Sequence, residues 1–189
     1  RMRHDMRHHL RTIMSYTQQG KYQEMMEYLQ EYASVITEEE KLICYCRNMA
    51  VDAVIHFYAG ELRKKGIPFE CDMMLPQNIG ISDTDLCKIY GNLLENAVDA
   101  VKDLLPENKP YVKMLTKVKN RKLLIEISNP YSNEIQRREK VFYSTKHEGF
   151  GIGTASVAEV VQRMGGYVVF NTEEGIFKVN IFLPVKTVQ

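Results

Sequence analysis

Two asparagines four residues apart carry the clearest chemical pattern in this chain. Asn92 and Asn96 lie in the strongly helical stretch NLLENAVDA, and Asp99 follows them on the same flank at about 100° per residue. Carboxamide and carboxylate oxygens are ligands for hard divalent cations. The pattern therefore predicts that Asn96 contacts a metal ion. The alternative is a set of surface side chains that hydrogen-bond only to water.

A glycine-rich stretch follows some fifty residues later. Gly149, Gly151 and Gly153 lead directly into a helical pattern over residues 152–164. Unpaired backbone N–H groups and the positive end of a helix dipole bind phosphate groups. No strand directly precedes these glycines and no Gly-Lys-Ser/Thr follows, which excludes Rossmann and Walker A loops. By itself the stretch also fits an ordinary connecting loop, but with Asn96 it predicts a magnesium–nucleotide site.

Composition narrows the class of protein. The 189 residues are 44% hydrophobic, and the net charge of +1 gives no reason to expect a nucleic-acid partner. The four cysteines lack the paired spacing of a zinc site and are expected to be reduced thiols. No apolar run approaches the ~18 residues of a membrane span. Because Arg1 already stands inside a helical pattern, we expect an upstream part of the protein to precede it.

The first third of the chain is predicted to be helical. Apolar residues recur at helical spacing over residues 2–19, 21–36 and 38–65. The third helix is expected to begin at a capping box, Thr37 to Glu40, and to end at Gly66 before Pro68. The stripes of Met, Leu and Tyr on these helices are expected to form a core or a dimer interface.

The pattern changes after Pro68 to a mixture of strands and helices. The predicted elements are a strand Phe69–Leu75, a helix Asp83–Leu105 capped by Ser82, a hairpin of Tyr111–Val118 and Lys122–Ser128, a helix Ile152–Met164, and a hairpin of Tyr167–Asn171 and Ile176–Leu183. The fold class is therefore α+β. We predict two domains, an all-helical one at 1–67 and a mixed one at 68–189.

A candidate nucleophile lies near the start of the chain. With Met6 and Leu10 on the buried face of a helix, His4 and His8 lie roughly 160° away and should be exposed. Imidazole is a competent nucleophile near neutral pH, and Asp5 can orient the ring of His4. Two other interpretations are a solvated basic face and a zinc site at His4 and His8, which lacks an evident third ligand.

The ordered motifs of residues 68–189 resemble the Bergerat ATP-binding fold of the GHKL superfamily, which includes histidine kinases, gyrase B, Hsp90 and MutL. The resemblance implies an α/β sandwich with helices on one face of a largely antiparallel sheet, and it implies ATP and Mg²⁺ as cofactors. Asn92 and Asn96 would form the N box, with Asn96 on the metal. The ATP lid would contain Gly149, Gly151 and Gly153, and Lys146 would meet phosphate.

Two departures from the superfamily pattern refine this expectation. Asn129-Pro130 stands where most members have D-x-G-x-G, so Asn129 would accept the hydrogen bond from the adenine amino group. This variant resembles the peptide-pheromone sensor kinases of the quorum-sensing branch. Asn92 stands where the ATPases have the Glu that activates water. Because an amide cannot act as a general base, the chemistry expected is phosphoryl transfer rather than hydrolysis.

The Arg-His-Asp at the start of the chain resembles the H box of the same sensor kinases. The resemblance implies that His4 is the phosphoacceptor, with His8 where the family has Asn, and that Asn48-x-x-Val51 belongs to the same motif order. It also implies a homodimer formed through residues 1–67, a response regulator as partner, and a cytoplasmic location downstream of a membrane-bound sensor region. Two alternatives stay open: a nucleotide-independent dimeric phosphorelay or scaffold module, and a GHKL ATPase or serine kinase.

Overall fold

The computed structural model describes residues 11–32, 43–131 and 152–185. It divides into two compact units, Arg1–Leu42 and Ile43–Gln189. In the described ranges, no helix combines the length and the apolar character that a bilayer span requires.

The described part of the first unit contains two helices. Helix α1 covers residues 11–18 and helix α2 covers Tyr22–Tyr32, with a turn at Gly20, whose φ of +67° suits glycine. The rings of Tyr16 and Tyr28 meet edge to face at 6.0 Å between centroids. The predicted helices at 2–19 and 21–36 are confirmed within the described residues.

Within residues 43–131 and 152–185, the second unit contains a five-stranded sheet and three helices. Its elements are α3 (Met49–Lys64), β1 (Phe69–Met74), α4 (Asp83–Val101), a 3₁₀ turn (Pro106–Asn108), β2 (Val112–Lys119), β3 (Lys122–Pro130), α5 (Ile152–Arg163), β4 (Tyr167–Glu173) and β5 (Ile176–Pro184). The strand order is β1-β2-β3-β5-β4, and only β1 and β2 among these neighbours pair in parallel. The predicted α+β class and both hairpins are confirmed.

Alternation along the strands defines the face that the helices cover. On β3, Leu123, Ile125 and Ile127 are buried, as two-residue periodicity requires for one face of a sheet. The turn between β2 and β3 has positive φ at both Asn120 and Arg121, the backbone of a tight hairpin turn. The hydrophobic core therefore lies between this face of the sheet and the helices.

Helix α5 returns to the sheet through two glycines. Gly165 has a φ of +75°, and a Cβ on Gly166 would collide with the carbonyl oxygen of Phe182 on β5. Only glycine permits this close approach of backbone to backbone. The predicted end of the helix before Gly165 is confirmed, and the close approach seats α5 against β5.

The third predicted helix begins later than expected. Residues 43–48, which we call the entry segment, are not helical, and α3 begins at Met49 rather than within residues 38–43. The side chain of Asn48 accepts a hydrogen bond from Val51 N at 2.9 Å and so caps the helix at that point. The predicted capping box at residues 37–40 lies outside the described residues.

Helix α3 packs into the core of the second unit. Val51, Ile55 and Leu62 belong to the same core cluster as α4 and the sheet. The compact units divide after Leu42. The predicted functional boundary between residues 67 and 68 stays a prediction. An amphipathic pattern identifies a buried face but not the element that covers it.

Helix α4 also ends earlier than predicted, at Val101 rather than near Leu105.

Candidate functional site

The position of the asparagines depends on where helix α4 begins and on which of its faces is buried. Ser82 caps it by accepting a hydrogen bond from Asp85 N at 3.1 Å, and the Ser82 hydroxyl donates to Asp85 Oδ2 at 2.9 Å. The buried stripe of the helix consists of Leu86, Ile89, Tyr90, Leu93, Leu94, Ala97, Val98 and Val101. With that stripe in the core, Asn92 and Asn96 lie at its polar edge, as the sequence predicted.

Asn96 carries an unpaired buried amide. Its Nδ2 atom is buried and has no hydrogen-bond partner among the described residues. A buried polar group without a partner costs about 1–3 kcal/mol, so such groups call for an explanation. Rotating the amide by 180° exchanges nitrogen and oxygen, which X-ray density rarely distinguishes and which costs little torsional energy. In that orientation the oxygen is a hard ligand, so Asn96 fits the predicted contact with Mg²⁺.

Asn92 lies one helical turn before Asn96 and is partly exposed. Its Nδ2 donates a hydrogen bond to Lys88 O at 2.6 Å. This bond occupies the amide nitrogen and leaves the carbonyl oxygen as the atom that can meet a ligand. A neutral amide cannot act as a general base, and the expectation of phosphoryl transfer rather than hydrolysis stays a prediction.

Asp99 takes a different position from the two asparagines. Its side chain is 59% exposed, and Oδ1 pairs with Lys102 Nζ at 2.7 Å. The hydrogen bond that Lys102 donates to Asp99 raises the pKa of Lys102. The described contacts of Asp99 therefore lie at the solvent surface, and its predicted role at the nucleotide stays a prediction.

Asn129 stands near the end of β3 and is only 1% exposed. Its Nδ2 donates to the backbone oxygen of Pro130 at 2.9 Å. The amide nitrogen is thus used locally, and the carbonyl oxygen is the group left to accept a hydrogen bond. This orientation suits recognition of an amino group, which is the predicted role of Asn129 toward adenine.

Helix α5 is tied to α4 by an ion pair that the sequence did not reveal. Arg163 Nη2 donates to Asp85 Oδ1 at 2.6 Å across 78 residues of sequence. The hydrogen bond from Ser82, followed by that from Arg163, lowers the pKa of Asp85. Gly153, a predicted residue of the lid, lies in the first turn of α5.

The remaining predicted site residues lie outside the described residues. These are His4, Asp5, Lys146, Gly149 and Gly151. In the described ranges, no group of three or more His, Cys, Asp or Glu side chains could hold a metal ion. Asn96 is the residue among those described that would hold an Mg²⁺ ion, through its amide oxygen.

The cysteines support no separate chemical centre. Burial raises the pKa of the Cys46 thiol to about 11 and that of Cys71 to about 12, so both stay protonated near neutral pH. A cavity of about 580 Å³ is lined by Cys44, Cys46, Met73 and Pro76, among others, and does not include the polar edge of α4.

Asn48 has a larger structural role than the sequence predicted. The sequence pattern placed Asn48 only in the order of kinase motifs. In the structure its side chain is buried and bonds to α3, to the loop at Gln77 and to α4. The available signal was an Asn immediately before the apolar periodicity of α3, the position of an N-cap. The bonds to residues 77 and 83 have no local signal, because they join positions about thirty residues apart.

Comparison with known proteins agrees with this geometry. The family model described as "GHKL domain" matches residues 81–184, more than half of the chain. The sensor protein CitS of Bacillus subtilis is 26% identical over 192 residues, which cover 96% of this chain and 34% of CitS. The chain thus spans about a third of the length of this curated relative.

Solved structures show the same fold. The nucleotide-free catalytic domain of the histidine kinase ThkA superposes with a TM-score of 0.54 at 19% identity, covering 72% of this chain and 92% of that domain. Full-length ShkA, solved in complex with AMPPNP, superposes with a TM-score of 0.54 at 20% identity, covering 74% of this chain and 30% of ShkA. The predicted Bergerat-type sandwich is confirmed.

Proposed function

Because this chain belongs to the GHKL domain family, we propose that it is the catalytic region of a sensor histidine kinase. It binds ATP and Mg²⁺, phosphorylates its own His4, and passes the phosphoryl group to an aspartate of a response regulator. The observation that carries the proposal is the unpaired buried amide of Asn96 at the polar edge of α4. Similarity to CitS over 96% of the chain supports it, as does the AMPPNP complex of ShkA.

The proposed chemistry is a single phosphoryl transfer. A ring nitrogen of His4 attacks the γ-phosphorus, the bond from that phosphorus to the bridging oxygen breaks, and ADP leaves. The new P–N bond forms as the imidazole releases its ring proton to solvent water. An Mg²⁺ ion held by Asn96 would supply neutralisation of charge on the phosphate oxygens. Asp5 orients the imidazole, and Asn96 holds the metal.

The other binding roles follow the predicted motif residues. Asn129 accepts the hydrogen bond from the adenine amino group. Lys146 and the glycines of the lid, Gly149, Gly151 and Gly153, bind the phosphates. Asn92 and Asp99 complete the polar wall of the site. These assignments are supported by the burial of Asn129 and by the position of α4, on which Asn92, Asn96 and Asp99 all lie.

The proposal extends to assembly and location. Residues 1–67 would form the dimerisation and phosphotransfer part, and residues 68–189 would bind ATP. Two copies would pair through the helical part, downstream of a membrane-bound sensor region, with this portion in the cytoplasm. Asn129-Pro130 supports placement in the peptide-pheromone branch, and the balanced charge gives no support for nucleic-acid binding.

Labelling with γ-³²P-ATP tests the proposal. The chain should form a phosphoprotein that is labile in acid and stable in base, because the P–N bond of phosphohistidine has that stability. His4→Gln should abolish the label, whereas the matched variant His8→Gln should retain it. Full labelling of His4→Gln would refute the assignment of the phosphoacceptor.

A nucleotide-independent scaffold is the second candidate, favoured by the loss of a charged acceptor at Asn129. Ligands that bind only the folded state raise its stability, by about 2.7 kcal/mol at a hundredfold excess over the dissociation constant. Titration with Mg²⁺-AMPPNP should therefore raise the melting temperature of a kinase. A melting temperature that does not respond to AMPPNP with or without Mg²⁺ would favour the scaffold.

A further inference from the structure

The entry segment is held firmly to the second unit. The backbone amides of Tyr45 and Cys46 both donate to Asp52 Oδ1, at 2.8 and 3.1 Å, and that of Arg47 donates to Leu75 O at 3.1 Å. Three successive amides are thus paired with α3 and with the residue that follows β1. The entry segment begins the second unit.

Asn48 connects the entry segment directly to α4. Its Nδ2 donates to Gln77 O at 2.9 Å and to Asp83 Oδ1 at 3.0 Å, while its Oδ1 accepts from Val51 N at 2.9 Å. Asn48 is 1% exposed, so its amide is shielded from water, whereas the acceptor residues Gln77 and Asp83 lie at the surface. Asp83 is the first residue of α4. One buried amide therefore fastens the start of α3 to the start of the helix that carries the asparagines.

We propose that Asn48 is a positioning residue that couples the entry segment to the nucleotide site. This inference rests on the proposed function. An α-helix is stiff and rises 1.5 Å per residue, so Asn92 and Asn96 lie about 14 and 20 Å along α4 from Asp83. A displacement of the entry segment moves the start of α4 and with it these two side chains. By linkage, nucleotide bound at Asn96 stabilises the bonded state of the entry segment to the same extent.

Four variants isolate the bond between Asn48 and Asp83. Asn48→Asp keeps the size of the side chain and the oxygen that accepts from Val51 N. It replaces the amide nitrogen with an oxygen, which faces Gln77 O and the Asp83 carboxylate and repels both. Adding Asp83→Asn to that variant supplies a donor and restores a bond of reversed polarity. Asp83→Ala removes the acceptor at an exposed position, so it tests the same contact without risk to folding. Asp52→Asn is the matched control, because its amide oxygen still accepts from Tyr45 and Cys46.

Hydrogen–deuterium exchange on the chain with and without Mg²⁺-AMPPNP measures the coupling, and calorimetry measures binding. In the unsubstituted chain, nucleotide should slow exchange of the amides of Tyr45, Cys46 and Arg47 about tenfold, within the usual range for coupled sites. In Asn48→Asp and in Asp83→Ala, nucleotide should slow exchange of these amides by less than about twofold. In the double variant the slowing should return to at least half of that in the unsubstituted chain, and in Asp52→Asn it should persist in full.

The outcomes separate this inference from the proposed function. Nucleotide binding without slower exchange in the entry segment would overturn the coupling and leave the kinase proposal standing. A full effect of nucleotide in folded Asp83→Ala would overturn it as well. If the unsubstituted chain binds no nucleotide, the proposed function and the coupling both fail.

Discussion

Two asparagines in the second unit show opposite ways of burying an amide. Asn48 uses both amide hydrogens and its oxygen in bonds of 2.9–3.0 Å to three separate segments. Asn96, midway along α4, has a buried amide nitrogen with no partner in the described ranges. A satisfied amide stabilises the fold, whereas an unsatisfied one costs stability and is kept where a ligand completes it. The difference separates a residue that positions the site from a residue that belongs to it.

Replacing Asn96 should produce the largest effect on binding. Asn96→Ala removes the proposed metal ligand, and even outer contacts to a metal change affinity 10- to 100-fold, so we expect Mg²⁺-dependent nucleotide affinity to fall about 100-fold. Without nucleotide, the free energy of unfolding should change by less than about 1 kcal/mol, because no hydrogen bond to this amide nitrogen is lost. Calorimetry and urea denaturation measure the two quantities.

An exposed residue on the same helix provides the control for Asn96. Thr84→Ala should leave nucleotide affinity unchanged. Strong loss of stability in nucleotide-free Asn96→Ala would show that the amide is structural and would remove the contrast between the two asparagines.

Replacing Asn48 should produce the largest effect on stability. Asn48→Ala removes a helix cap worth about 1 kcal/mol and leaves Gln77 O and Asp83 without a donor. Both acceptors belong to exposed residues that water can reach, so we expect the lost cap and the lost bonds together to cost about 2 kcal/mol. Urea denaturation of nucleotide-free protein measures it. A loss no larger than that of Asn96→Ala would contradict the comparison.

The Arg163–Asp85 pair should have the smallest effect, because it is the exposed counterpart of the buried tie at Asn48. Arg163→Gln should lower the free energy of unfolding by less than about 1 kcal/mol. Because the pKa of Asp85 is lowered in the folded state, its contribution is present above about pH 4 and is lost as the pH falls through the folded pKa. The difference between the two proteins should therefore vanish in acid.

Denaturation at several pH values measures this small effect. Lys64→Gln breaks a comparable pair, Lys64 Nζ to Glu61 Oε1 at 3.1 Å, but within a single helix. It should leave the contact between α4 and α5 unchanged. An effect of Arg163→Gln that persists below about pH 2 would show that Asp85 is not the group it stabilises.

Local patterns were sufficient for most of the fold. Ser82 before an apolar periodicity predicted the start of α4, and the turns at Asn120-Arg121 and Glu174-Gly175 predicted the two hairpins. Each of these signals lies within a few residues of the feature it specifies, because caps and turns are satisfied by neighbouring backbone. The sequence did not predict the start of α3 at Met49. The helical pattern continues through the entry segment, which is not helical in the structure.

The amino-acid sequence by itself determined which side of α4 is polar, because helical periodicity places Asn92 and Asn96 together beside an apolar stripe. Only the tertiary structure decided that α3 joins the second unit, that Arg163 meets Asp85, and that Asn48 reaches Asp83. These contacts join residues 35 to 78 positions apart. Side chains at such separations meet through the packing of whole elements, and no local periodicity or propensity encodes that packing.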